Sequence, residues 1–138
     1  MVNAQVLGAE VAQTGGIVLL TVVAIAYGGT FLLRVVRGSV PTNDLQKSFF
    51  RAGHAHAGVL VILGLVAGLY VDLAGVAAPW RSLSLGILLA AILMPAGFFL
   101  SVIGRDPQRP NRLVWLLWLG AASLAVGVVS AGVGLLLV

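Results

Sequence analysis

His54 and His56 are the two histidines of this chain, and both fall in the stretch Phe49-Phe50-Arg51-Ala52-Gly53-His54-Ala55-His56-Ala57-Gly58. An imidazole placed where an apolar helix leaves the membrane interface is costly to bury and suited to holding a metal or a haem, which makes this pair the first place to look for function. Two residues apart on a helix, at about 100° per residue, they point to nearly opposite sides and do not chelate one ion together. A two-histidine site on one face needs the spacing i, i+4, as in HExxH, and the chain lacks it. The geometry left is one histidine as a single axial ligand and the other with a separate task. His56 lies deeper and is followed by Ala57 and Gly58, whose small side chains leave room for a flat ring beside the helix. His54 is one turn from Arg51, a pairing that suits a carboxylate at the interface. On these residues alone a second reading has equal weight, in which both histidines hydrogen-bond carbonyls or lipid headgroups.

The elements that must position this pair are apolar throughout. Of 138 residues, 60% are hydrophobic and 9% charged, against roughly 25% charged in soluble domains. That composition places the chain in a lipid bilayer as an all-α protein, and its length allows one domain, residues 1–138, built as a small transmembrane bundle. With no cysteine, disulfides, thiolate zinc sites, iron-sulfur clusters and cysteine nucleophiles are excluded. The net charge of +4 comes from short loops and reads as membrane topology, with no nucleic-acid footprint.

Four spans follow from the apolar runs, each near the 20 residues that crossing a bilayer takes. The first covers Gly15 to Val36, and the turn Pro41-Thr42-Asn43-Asp44 caps the second, which runs from Leu45 or Ser48 to Leu73. The third covers Leu83 to Ile103 and contains Pro95, which predicts a kink. The fourth covers Leu113 to Val138 and opens with Trp115 and Trp118 as interface anchors; Trp80, in the second loop, reads the same way. The first ten residues lack the basic start of a signal peptide, so the first span is expected to be retained. Arg34, Arg37, Lys47 and Arg51 flank the first loop and Arg105, Arg109 and Arg112 the third. The positive-inside rule then puts these loops in the cytoplasm and both termini outside, with the histidines near the cytoplasmic face.

Away from the histidines, Tyr70 and Asp72 read as exposed helix-end groups. Tyr27, Ser101, Ser123 and Ser130 read as helix-helix hydrogen-bonders, and Met94, Phe98 and Phe99 as core. Gly64 and Gly68, with Gly120, Gly127, Gly132 and Gly134, predict close packing within the chain first and a subunit contact second. Four slim helices enclose little space, so a large cofactor fits more easily between subunits.

Ala55-His56-Ala57-Gly58 with Arg51 upstream, Gly97-Phe98-Phe99-Leu100, Pro110-Asn111-Arg112 and the glycine-led Gly15-Gly16-Ile17 together resemble styrene oxide isomerase, a family of small four-helix membrane enzymes. The resemblance covers most of the chain. It implies a homotrimer with haem b at each subunit interface, His56 as axial ligand, and ferric iron acting as a Lewis acid that turns an epoxide into an aldehyde. It breaks at three positions of the family's active site: the asparagine falls on Ile62, the aspartate on Ala91 and the tyrosine on Phe99. The family's arginine two residues before the ligand falls on His54, with Arg51 one turn earlier as its substitute. The expectation is a haem b protein with an open iron face for a small apolar ligand, in which epoxide opening has lost its orienting groups. Two alternatives stand beside it: a non-catalytic haem protein that senses a gas, holds haem or passes electrons, and a cofactor-free accessory subunit of a membrane complex.

Overall fold

A computed structural model describes residues 7–138. The order is α1 (Ala9–Val36), α2 (Asp44–Leu73), α3 (Trp80–Ser84), α4 (Gly86–Ser101), a 3-10 turn (Arg112–Val114) and α5 (Trp115–Leu136), with no strand among the described residues. Four helical stretches are long and apolar enough to cross a membrane: α1, α2, Trp80–Ser101 and Arg112–Leu136. The protein is thus all-helical with four candidate spans. The boundaries shift from expectation at two starts. α1 begins at Ala9 instead of Gly15, with Glu10 in its first turn, where a carboxylate complements the helix dipole. The third span begins at Trp80, because the short α3 leads into α4 at Leu85.

α2 begins where the sequence marks it. Asn43 accepts from the Gln46 backbone N–H at 2.9 Å, and the Gln46 side chain accepts from the Asn43 N–H at 3.2 Å; this reciprocal pair is a capping box that satisfies two backbone donors at once. The same two residues reach across the bundle. Asn43 Nδ2 donates to Asp106 Oδ1 at 2.9 Å and to the Pro107 carbonyl at 2.7 Å. Gln46 Nε2 donates to the carbonyls of Val102 (3.0 Å) and Gly104 (3.1 Å). The first and third loops are therefore tied together at one end of the bundle.

In lipid, helices associate through close backbone approach, and α4 and α5 show it. A Cβ on Gly97 would stand 2.7 Å from the Leu117 backbone nitrogen, and one on Gly127 would stand 2.5 Å from that of Ile87. Ser123 Oγ donates to the Gly86 carbonyl at 2.8 Å and fixes the pair in register. Gly64 and Gly134 also sit against side chains, whereas Gly68 and Gly132 have nothing within 4 Å. α2 contacts α1, α4 and α5 and is the hub, while α1 packs mainly on α2 and buries a single residue, Val35.

Several side-chain expectations change. Asp72 is not an exposed end group: its side chain is 7% exposed and pairs with Arg81 at 2.8 Å, and it accepts the Gly8 N–H at 2.9 Å. Tyr70, at 62%, is exposed as expected. Tyr27 is exposed too and does not serve as a helix-helix bond, and Ser101 bonds within its own helix, to the Phe98 carbonyl. Trp80 packs onto Gly134 beside Val71, Val76 and Ala131, while Trp115 and Trp118 remain outward-facing.

Candidate ligand site at His56

The two histidines diverge to different neighbours. His54 turns toward α1, where a Cβ on Gly28 would lie 3.6 Å from its Nδ1 and one on Gly29 would lie 3.6 Å from its Nε2. The two glycines make the recess that accepts the ring. His56 turns toward α4, its ring centroid 5.0 Å from that of Phe98 at an interplanar angle of 36°. Phe98 is in turn held edge-on by Phe49, 5.6 Å away.

The tautomer of His56 follows from its one hydrogen bond. Nδ1 lies 2.8 Å from the Ala52 carbonyl oxygen, and a carbonyl only accepts, so Nδ1 carries a proton, and in the neutral ring the lone pair is on Nε2. Among the described residues Nε2 has no hydrogen-bond partner, and no buried side-chain nitrogen or oxygen is left unsatisfied. Nε2 is therefore not sealed inside the protein. A neutral imidazole held through one nitrogen with the other presented outward is the arrangement that metal-ligating histidines use.

The surroundings suit a flat apolar ligand. His56, Val59 and Leu63 follow one another along α2 at i, i+3 and i+7, and Val59 and Leu63 are 64% and 39% exposed. A Cβ on Gly58 would meet nothing within 4 Å. Arg51 is exposed at the same end of α2, and Ala57 is half-buried. His56 lies sixteen residues before Asp72, about 24 Å along the helix, within the roughly 30 Å of a hydrocarbon core.

The other sequence-named positions do not join this site as hydrogen-bond donors. Ile62 is 62% exposed on α2, and Ala91 is half-buried on α4. Phe99 stacks on Phe50, with centroids 5.4 Å apart, in a cluster with Val35 and Val102. The aromatic that touches His56 is Phe98, which sequence reasoning placed in the core. Among the described residues no three His, Cys, Asp or Glu side chains converge. No protein-family model, curated protein or solved structure matches the chain.

Proposed function

We propose that the protein is a haem b-binding integral membrane protein related to styrene oxide isomerase, with His56 as the single axial ligand. The observation that supports this reading is the Nδ1 hydrogen bond to Ala52, which leaves Nε2 without a protein partner on a helix where Val59 and Leu63 are exposed. Val59, Leu63 and the open side of Gly58 would hold the flat macrocycle, and the Phe98 ring would keep the imidazole from turning. Arg51, exposed at the same end of α2, supplies a cationic partner for carboxylates at the membrane edge, while His54 is turned to α1. Haem, if bound, would supply a Lewis-acidic iron for a small apolar ligand or an epoxide.

Because the His56 strip is on the outside of α2, one subunit covers one face of such a cofactor. A homo-oligomer, in our reading a trimer, would cover the other. The seven basic residues around the tied loops orient those loops to the cytoplasm and place both termini outside. The test is to purify the protein in mild detergent, record its visible spectrum, and weigh it by native mass spectrometry. A Soret band on a trimer is expected; a haem-loaded monomer removes the oligomer, and protein that neither carries nor takes up haem makes the cofactor-free accessory subunit the better reading.

A further inference from the structure

A cavity lies at the other end of the bundle from His56. It has a volume of about 480 Å³ and is formed by the first half of α1, the last half of α2 and the α3–α4 junction. Small-molecule sites usually measure roughly 300–1,000 Å³ and combine apolar walls with a few convergent polar groups. This one has that character: Leu65 and Leu88 contribute to its wall, and Glu10, Thr14, Asp72 and Arg81 contribute polar groups.

Its charges are unequal. Asp72 is neutralised by Arg81 at 2.8 Å and further held by the Gly8 N–H at 2.9 Å. Glu10 is exposed and makes no ion pair among the described residues. The lining therefore has one uncompensated negative charge beside an apolar chamber, and a carboxylate at the edge of a membrane span is a functional candidate by default. Gly68 also lines the chamber, and a Cβ there would meet nothing within 4 Å, so the space beside α2 is open.

We propose that this cavity binds a small lipophilic cation from the bilayer, its apolar body between α1, Leu65 and Leu88 and its positive charge beside Glu10. The site is separate from His56 and stands whether or not haem binds there. Charge complementarity excludes a lipophilic anion as the preferred occupant, because Arg81 already serves Asp72.

The experiment uses two ions of similar shape and opposite charge, tetraphenylphosphonium and tetraphenylborate, in equilibrium dialysis against the detergent-purified full chain. Saturable binding of the phosphonium in preference to the borate is expected. Glu10→Gln should weaken it about tenfold; this residue is exposed, so the fold does not depend on it. Gly68→Leu should fill the chamber and abolish saturable binding, while Gly132→Leu, at a glycine equally free of neighbours but outside the cavity, should leave it intact. Gel filtration and circular dichroism confirm that each variant is folded. Equal binding of the two ions, or unchanged affinity in Gly68→Leu, overturns the proposal. A shift of oligomeric mass in Gly68→Leu without loss of phosphonium binding makes the cleft a subunit contact and overturns it as well, as does a co-purified phospholipid that the phosphonium does not displace.

Discussion

The Nδ1 of His56 stands 2.8 Å from the carbonyl oxygen of Ala52, one helical turn earlier. That bond requires a proton on Nδ1 and leaves Nε2 as the nitrogen free to ligate in the neutral ring, whereas His54 turns toward Gly28 and Gly29 of α1. We expect His56→Ala to lose its Soret band and His54→Ala, whose native ring faces α1, to keep it. Haem content per purified chain decides between them. Retention by His56→Ala with loss by His54→Ala reverses the assignment.

Close approach of α4 and α5 makes a sharp stability prediction. A methyl on Gly127 would press on the Ile87 backbone at 2.5 Å, and backbone cannot swing aside as a side-chain end can. Overpacking of this kind costs about 1–3 kcal/mol, so Gly127→Ala should lower the unfolding midpoint in detergent. Gly132→Ala, with open space around it, should change it little. Equal midpoints for the two variants would remove close α4–α5 contact as a source of stability.

Gln46 is 5% exposed and its amide serves the carbonyls of Val102 and Gly104. Gln46→Ala leaves those acceptors without their donor, at a cost of about 1–3 kcal/mol for an unsatisfied buried group. The third loop should then loosen, and trypsin should cut faster after the exposed Arg105. An unchanged cleavage rate would show that Asn43 alone secures the loop.

The four spans, the cap at Asn43 and the divergence of the histidines could all be read from the chain, because each depends on local quantities: apolar run length, one side chain's reach to its own backbone, and the angle between helical residues. Contacts between elements could not. Asp72 meets Arg81 and Gly8 only because α3 and the start of α1 return to the end of α2, and hydropathy says nothing of that return. Phe98 and Phe99 are neighbours of the same type, and helix rotation alone decides which of them faces His56. The cavity beside Glu10 depends on α1 packing mainly on α2, a placement without a sequence signature.

Charge asymmetry gives a prediction of orientation that geometry sharpens, since Asn43 and Asp106 tie the first and third loops at one end. Single cysteines at Ala77 and Gly104, both exposed, should label from opposite sides of intact cells or spheroplasts. Ala77 is expected to react with an impermeant maleimide from outside and Gly104 only after permeabilisation. Outside labelling of Gly104 would invert the topology.

Turnover of styrene oxide tests whether the chemistry that the resemblance implies operates in this chain. Catalysis of epoxide opening depends on groups that orient the oxygen and stabilise charge on the opening ring, and loss of one preorganised donor commonly costs about 2.7–4 kcal/mol at the transition state. The positions where the resemblance expects such groups hold Ile62, 62% exposed, the half-buried Ala91, and Phe99, stacked on Phe50 at 5.4 Å. None offers a side-chain donor. Phenylacetaldehyde formation by haem-loaded protein should therefore be slow or undetectable. Phe99→Tyr alone should not restore it, because Phe99 packs on Phe50 and Gly53 while Phe98 holds the contact with His56. Rapid formation of the aldehyde by the unmodified chain, lost in His56→Ala, would show that the iron suffices without those donors and that the protein is a working isomerase.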